Sequence, residues 1–295
     1  MKAKFQFEGS MVALVTPFRN GRVDESALRR LIDFHLEART DVIVPAGTTG
    51  ESATLSHDEH RRVMSIVLEH VDGRIPVICG AGSNNTEEAL GLIRYAKKIK
   101  AAGVLVVTPY YNKPTQEGLY RHYAYLAHKV DIPIVLYNVP GRTGVSIAPQ
   151  TVARLAKIPN IVAIKEASGN LDQVDRILEL SDITVISGED SLTFPMIAIG
   201  ARGVISVTAN IVPQLVREMV HATLNGDLER GRELHQRLYP LSKVLFVETN
   251  PIPVKTALGM MRLIRPQLRL PLCEMASDNQ KKLREVLKKL GVLKK

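Results

Sequence analysis

IPVICGAGSNNTEEALGLIRYAKKIKAAGVLVVT, residues 75–108, contains the repeating unit from which the fold follows. Two short apolar runs, 75–79 and 104–108, lie on either side of a stretch, 87–99, in which apolar residues recur at helical spacing from Leu90 onward. Runs that are apolar on both faces are typical of parallel strands covered by helices. This segment therefore predicts one strand–helix–strand unit.

The same alternation continues along the chain. Apolar, β-branched runs predict eight strands, at 12–15, 41–44, 75–79, 104–108, 132–137, 161–164, 183–186 and 203–207. Eight units within residues 1–224 predict an α/β fold, a (β/α)8 TIM barrel, with an open doubly wound sheet as the alternative. Residues 225–295 lack strand-like runs and are predicted to form extra C-terminal helices packed on the barrel.

The charge balance raises the question of nucleic-acid binding. Of the net charge of +9, residues 281–295 contribute +6, from seven basic residues against Glu285. Leu283 and Leu287 recur there at helical spacing, so the lysines are expected to form the solvated face of a terminal helix. The chain has no tryptophan and only 5% aromatic residues to stack on bases. No nucleic-acid partner is expected.

Composition also bears on location and metals. With 45% hydrophobic and 23% charged residues the chain is typical of a globular protein. No apolar run approaches the ~20 residues of a membrane span, and the first residues do not form a secretory signal. Cys79 and Cys273 are too few for a disulfide framework or a zinc site. A cytoplasmic location, no membrane association and no metal are expected.

Lys165 is the most informative polar residue. It ends the apolar run 161–164, and functional groups of such barrels lie where strands end. Burial there would favour the neutral amine, which is nucleophilic. Because strand side chains alternate, Glu166 is expected on the opposite face. The alternative is a lysine that reaches solvent or pairs with that glutamate.

Other strand ends supply further candidates. Thr48 and Thr49 lie between two glycines, where hydroxyls and backbone N–H groups can hold an anion, or merely form a turn. Tyr137 and the pair Tyr110–Tyr111 can transfer protons or pack as buried phenols.

Arg142 follows a Pro-Gly turn after the fifth predicted strand. Its guanidinium could bind a carboxylate with two hydrogen bonds, or lie on the surface. The combination of a lysine, a threonine pair, tyrosines and this arginine on different strands indicates a site at one end of the barrel.

Five motifs together resemble the class I, Schiff-base aldolases: GTTGE (47–51), TPYYN (108–112), YNVPGRTG (137–144), IKE (164–166) and NPIPVK (250–255). The chain is most similar to the dihydrodipicolinate synthase family within the N-acetylneuraminate lyase superfamily. The resemblance covers essentially the whole length, and the motifs agree in order and spacing.

The resemblance implies an enzyme of the diaminopimelate and lysine pathway that joins pyruvate to L-aspartate 4-semialdehyde. Lys165 would form the Schiff base with pyruvate, so that no other cofactor is needed. Thr48, Tyr137 and Tyr111 would form the proton relay, and Thr49 would bind the pyruvate carboxylate.

The resemblance also implies binding roles and partners. Arg142 would bind the semialdehyde carboxylate, while Gly188 and Ile205 would line the pyruvate pocket. Tyr111 would come from a neighbouring subunit, within a homotetramer built as a dimer of dimers. L-Lysine is expected as an inhibitor, in a pocket formed by Ser52, Ala53, His57, His60, Asn84, Glu88 and Tyr110.

Two alternatives stay open at this point. N-Acetylneuraminate lyases and 2-keto-3-deoxy sugar-acid aldolases have the same fold and lysine, but generally lack an arginine at the position of Arg142 and, in the sialate lyases, carry serine at that of Thr48. A non-catalytic barrel scaffold is the more distant alternative, since a fold does not by itself imply function.

Overall fold

Eight parallel strands form a ring in the computed structural model, which describes residues 7–294. The strands are β1 (Gly9–Ala13), β2 (Phe18–Arg19), β3 (Arg22–Val23), β4 (Val42–Val44), β5 (Ile78–Gly80), β6 (Gly103–Val107), β7 (Ile134–Asn138), β8 (Ile161–Glu166), β9 (Thr184–Ser187) and β10 (Gly203–Ser206). β2 and β3 form a separate hairpin, and the others follow the order β4-β1-β10-β9-β8-β7-β6-β5. A parallel bridge between Ile43 and Val77 joins the two ends of this order. The predicted TIM barrel is confirmed.

Helices follow the strands and cover the ring. They are α1 (Glu25–Glu37), α2 (His57–Val71), α3 (Thr86–Lys98), α4 (Gln116–Lys129), α5 (Pro140–Thr143), α6 (Pro149–Leu155), α7 (Leu171–Leu180), α8 (Thr193–Ala198), α9 (Pro213–Leu224), α10 (Leu228–Val244), α11 (Ile252–Met260) and α12 (Ser277–Lys289). Six of them, α1 to α4, α7 and α10, begin at a residue whose side chain caps the first turn. At α2, Ser56 and Glu59 form a reciprocal capping box.

Strand side chains alternate between two apolar layers. Met11, Val42 and Leu105 belong to the cluster inside the ring, whereas Val12 and Ile43 pack outward against the helices. Each strand is therefore apolar on both faces, as its sequence predicts. The first strand begins three residues earlier than predicted, because Gly9 and Ser10, which precede the apolar run, already pair with β10.

The C-terminal helices behave as the sequence predicts. Leu283 and Leu287 of α12 are fully buried, and the lysines around them are exposed. The division into a barrel, 1–224, and an extension, 225–295, stays a prediction.

The described residues contain no helix long and apolar enough to cross a membrane. Nor does the part of the chain from 7 to 294 hold a group of three or more His, Cys, Asp or Glu side chains suited to a metal ion. Cys79 is buried and Cys273 is exposed, and both are free thiols.

Candidate active site

Lys165 lies inside the barrel, near the carboxyl end of β8. Its side chain is only 5% exposed and continues the inward row of Ala163. Its Nζ atom lies 4.3 Å from the ring centre of Tyr137, the residue paired with it on β7. The amine is thus held among apolar and aromatic groups, away from bulk solvent.

Glu166 points to the outer side of the strand, as alternation predicts. Its carboxylate accepts hydrogen bonds from Asn138 Nδ2 (2.9 and 3.2 Å), from the Ser168 backbone N–H (2.7 Å) and from Gln173 Nε2 (3.0 Å). A buried carboxylate with its oxygens satisfied in this way holds the end of β8 in one position. Glu166 therefore fixes the backbone that carries Lys165 and does not pair with its amine.

Thr49 lies in the turn after β4 and is 3% exposed. Its Oγ1 accepts a hydrogen bond of 3.0 Å from Asn250 Nδ2, so the hydroxyl proton stays free to be donated. Thr16 Oγ1 donates to the Gly50 carbonyl in the same turn, at 2.7 Å. The turn thus presents a hydroxyl donor, oriented by a residue far away in the sequence.

A buried ion pair directly follows this turn. The side chains of Glu51 and Lys255 are 1% and 0% exposed, and Lys255 Nζ donates to the Glu51 carboxylate and to the Thr16 carbonyl (2.9 Å). The same nitrogen lies 4.2 Å from the ring centre of Phe18. Burial lowers the pKa of Lys255 to about 8, although the Glu51 charge acts in the opposite direction.

Gly188, after β9, lies against the Lys165 side chain. A Cβ atom at this position would lie 2.9 Å from Lys165 Cε and 2.7 Å from Ala167 Cβ. The missing side chain therefore leaves the space through which the lysine passes.

Two carboxyl groups follow Gly188. Asp190 is buried and accepts from the backbone N–H groups of Val207 (2.8 Å) and Thr208 (3.2 Å), which ties the end of β10 to that of β9. Burial raises the pKa of Asp190. Burial also raises the pKa of Glu189, with a further contribution from the charge of Asp190.

A cavity of about 600 Å³ opens above Lys165. Of the predicted site residues, it is lined by Lys165, Tyr137, Thr49, Arg142 and Gly188. Ile205 faces the barrel interior but is 1% exposed, and Val207, two residues further along, lines the cavity in its place.

Arg142 lies at the boundary between this cavity and a second one of about 540 Å³. Its guanidinium donates to the Asn250 carbonyl at 3.0 Å, and its side chain is exposed. Thr48 lines the second cavity, whereas its neighbour Thr49 lines the first. The structure therefore places the two threonines on different sides of one boundary.

The second cavity brings together most of the residues predicted to bind lysine. It is lined by Ser52, Ala53, His57, His60, Glu88 and Tyr110. Glu88 pairs with His57 Nε2 at 3.1 Å and accepts a hydrogen bond from the Ser83 hydroxyl. His60 is buried with its Nε2 2.8 Å from the Gly80 carbonyl, and burial lowers its pKa.

Asn84 does not line this cavity. Its backbone carbonyl accepts a hydrogen bond of 3.0 Å from Asn112 Nδ2, which ties its loop to the loop after β6.

Tyr111 is directed away from both cavities. Its side chain is 90% exposed, and its φ of +72° places the residue in the left-handed region. This chain therefore presents the Tyr111 phenol outward and does not bring it to its own Lys165.

Sequence reasoning assigned no role to Asn250, Lys255 or Glu189. A signal existed for Lys255, a single charge within the apolar helix α11, since a lysine among apolar residues requires a buried partner. Asn250 stands at the head of the same motif, and the Oδ1 atom of its side chain has no hydrogen-bond partner among the described residues.

The fold and the buried lysine define a β/α-barrel protein with a lysine amine held inside the carboxyl end of its strands. The family model described as the Dihydrodipicolinate synthetase family matches residues 6–290. The chain belongs to this family. The recognition made from the five motifs is confirmed, and with it the enzyme class.

Individual relatives agree. A 4-hydroxy-tetrahydrodipicolinate synthase of Geobacter sulfurreducens is 57% identical over 97% of this chain and 100% of its own length. A dihydrodipicolinate synthase structure from Aquifex aeolicus has a TM-score of 0.96 at 52% identity, covering 98% of this chain and 100% of that one. A Cyanidioschyzon merolae structure with lysine bound has a TM-score of 0.94 at 40% identity, and the match covers 97% of this chain and 99% of that one.

Proposed function

We propose that this chain carries the 4-hydroxy-tetrahydrodipicolinate synthase activity after which its relatives are named. It condenses pyruvate with L-aspartate 4-semialdehyde, in the diaminopimelate and lysine pathway. The observation that carries this proposal is Lys165, buried inside the barrel with its Nζ atom beside Tyr137 and at the foot of an open cavity.

The chemistry begins with attack of the Lys165 amine on the C2 carbonyl of pyruvate, and loss of water gives the Schiff base. Loss of a proton from C3 gives an enamine, whose carbon forms the new bond to the aldehyde carbon of the semialdehyde. The substrate's amino group then attacks C2, closes the ring and releases the lysine amine. Covalent catalysis of this kind draws on the Lys165 amine itself and uses neither a metal nor another cofactor.

Side-chain roles follow from the surroundings of the lysine. Thr49 donates a hydrogen bond to the pyruvate carboxylate. Its hydroxyl is free to do so because it only accepts the bond from Asn250. Tyr137 and Thr48 transfer protons with Tyr111, and Arg142 at the cavity boundary binds the semialdehyde carboxylate. Gly188 leaves room for the lysine and its adduct.

The outward position of Tyr111 supports a relay completed by a second copy of the chain. In this proposal the active unit is at least a dimer, assembled further into a homotetramer. L-Lysine inhibits from the second cavity, where Glu88 and His57 supply charged partners for an amino acid. The lysine-bound relative supports this assignment. The cytoplasmic location stays a prediction.

Borohydride trapping tests the proposal. Incubation with pyruvate and borohydride should add one reduced pyruvate adduct to each chain, located at Lys165 by peptide mass spectrometry. The Lys165→Ala variant is the matched control and should stay unlabelled. Labelling of another lysine, or none, would contradict the assignment.

A substrate panel separates this activity from the sugar-acid aldolases. Because Arg142 offers a guanidinium at the cavity boundary, we expect turnover with aspartate semialdehyde and none with N-acetylneuraminate or 2-keto-3-deoxy sugar acids. The reverse pattern would assign the chain to the aldolases instead.

A further inference from the structure

The ion pair between Glu51 and Lys255 is unusual in its burial. Both side chains are withdrawn from water almost completely, at 1% and 0% exposure. Removing two charges from water costs several kcal/mol each, so that apolar replacements of buried pairs often leave stability unchanged or increase it. The pair is therefore poorly explained as a device for stability, and its position in the fold becomes the relevant observation.

Glu51 terminates the turn that contains Thr48 and Thr49. Its φ of +53° is left-handed, a conformation that a residue with a side chain rarely adopts. Its backbone N–H donates to the Thr48 carbonyl at 3.1 Å, so the position of Glu51 sets the closure of the turn. An anchored carboxylate keeps this strained residue, and with it the turn, in one conformation.

The anchor comes from residues 250–255, which lie about 200 residues further along the chain and contact the turn directly. Asn250 holds the Thr49 hydroxyl at 3.0 Å, and Lys255, one turn into α11, holds the Glu51 carboxylate. Lys255 also donates to the Thr16 carbonyl, and the Thr16 hydroxyl donates to the Gly50 carbonyl. Hydrogen bonds thus hold the turn at three successive residues, Thr49, Gly50 and Glu51.

We propose that Glu51 and Lys255 form a positioning pair, which sets the hydroxyl and backbone N–H of Thr49 for the carboxylate of a 2-oxo acid bound at Lys165. Neither member touches the substrate. The inference depends on the proposed function in one respect, that the turn binds the pyruvate carboxylate.

The concentration dependence of pyruvate labelling tests the pair. Lys255→Met removes the ammonium and keeps the length of the side chain, and Glu51→Gln removes the charge of its partner. We expect the pyruvate concentration that half-saturates borohydride trapping to rise about 10-fold or more, the loss typical of one charge-assisted hydrogen bond. Labelling at saturating pyruvate should still occur on Lys165.

Arg217→Met is the matched control. It breaks the ion pair between Arg217 and Asp41, 3.3 Å apart at the opposite end of the barrel, and should leave the half-saturating pyruvate concentration unchanged. The melting temperatures of all variants show whether a weaker response to pyruvate reflects unfolding or a displaced Thr49 in a folded chain.

The double variant Glu51→Met/Lys255→Met distinguishes positioning from stability. With both charges removed, the melting temperature should recover toward that of the wild type, while the half-saturating pyruvate concentration stays raised. If Lys255→Met does not fold, Glu51→Gln and the double variant still provide the test. Half-saturation within twofold of the wild type in the folded variants would overturn the pair. A wild type that is not labelled at all would overturn the proposed function and the pair together.

Discussion

The two ends of the barrel carry their charged groups differently. At the carboxyl end Lys165 and Lys255 are almost fully buried. At the amino end Asp41 accepts from Arg217 and His221, and the three side chains keep between 22% and 37% of their surface in water. One end thus contains buried ionisable side chains, and the other contains ordinary surface pairs.

This difference separates chemistry from stability. A surface ion pair is typically worth up to about 1 kcal/mol, whereas a buried charge costs several unless other groups support it. A barrel that keeps its buried lysine side chains at the carboxyl end of its strands is organised for reaction there. Substitutions at the carboxyl end should therefore change turnover or binding, and substitutions at the amino end should change stability alone.

Lys165→Ala should have the largest effect, because no other group can form the Schiff base. We expect no measurable turnover in a coupled assay with pyruvate and aspartate semialdehyde. Lys165→Arg should fail as well, since a guanidinium supplies no neutral amine. Lys281→Ala on α12, an exposed lysine, is the control and should be fully active. Residual turnover by either Lys165 variant would mean that the nucleophile lies elsewhere.

Tyr111→Phe should come next. The ring stays and the hydroxyl is lost, so kcat should fall by about 10²-fold, in the range of a missing proton-transfer group. Tyr125→Phe, a partly exposed tyrosine of α4 whose hydroxyl bonds Glu87, provides the matched control. A normal rate for Tyr111→Phe would remove the residue from the relay.

Mixed dimers sharpen this prediction. A dimer of one Tyr111→Phe chain and one Lys165→Ala chain should regain activity at one of its two sites, if the phenol acts on the partner. Verified mixed dimers that remain inactive would place the tyrosine's action within its own chain.

Arg142→Ala should weaken the use of the semialdehyde far more than that of pyruvate. Loss of a guanidinium from a carboxylate costs about 2 kcal/mol or more, roughly a 30-fold rise in KM. Arg154→Ala, an exposed arginine over the ring of Tyr120, is the control. A larger change in the pyruvate constant would assign Arg142 to the wrong substrate.

Glu88→Ala addresses the second cavity. In the wild type we expect L-lysine to inhibit partially and not competitively with pyruvate, because Tyr110 lines that cavity next to Tyr111, the proposed relay residue. The variant should lose this inhibition, while Glu87→Ala, its neighbour on α3, should retain it. Titration of the rate with lysine and calorimetry provide the readout. A wild type that neither binds nor responds to millimolar lysine would refute the regulatory assignment without touching the catalytic one.

His35 tests the amino end, where we expect no effect on chemistry. It is fully buried beside Thr40, and burial lowers its pKa to about 3 from the usual 6.5. Below pH 6.5 this histidine takes up a proton in the unfolded chain but stays neutral in the folded chain. The free energy of unfolding therefore decreases as the pH falls from 6.5 towards the folded pKa of about 3. By pH 5 the loss is about 2 kcal/mol.

The measurement is urea unfolding at pH 7.5 and pH 5. In His35→Gln the loss of unfolding free energy between pH 7.5 and pH 5 should be smaller by about 2 kcal/mol. The kcat at neutral pH should stay unchanged. His128→Gln, at an exposed position, should leave the sensitivity as it is. An unaltered pH dependence in His35→Gln would show that the buried histidine is not its source.

Local patterns predicted much of this molecule. Continuous apolar runs located eight strands, and the alternation of side chains along a strand placed Lys165 inward and Glu166 outward. The contacts that orient the site join residues far apart in sequence: Thr49 with Asn250, and Glu51 with Lys255. No local pattern encodes such pairs, since they arise only when the C-terminal helices pack on the barrel.

Two residues show the limits in another way. Asn84 matches the lysine-pocket pattern, yet it does not line the cavity, and its backbone carbonyl accepts a hydrogen bond from the Asn112 side chain. Tyr111 matches the relay pattern, yet its proposed position of action lies on another chain. A sequence motif indicates which residues act at one site. It does not show which cavity they line or which subunit supplies each of them.

The contact between Gly188 and Lys165 has a genetic consequence. Every missense change in a glycine codon introduces a Cβ, and here that atom would lie 2.9 Å from Cε of Lys165, the proposed nucleophile. Even alanine would displace the lysine, so we expect that no single-base missense change in the Gly188 codon is tolerated. Gly141 lines the same cavity with open space where its Cβ would lie, and its codon should accept small residues freely. In a saturation library selected for activity, the first codon should remain glycine while the second diversifies.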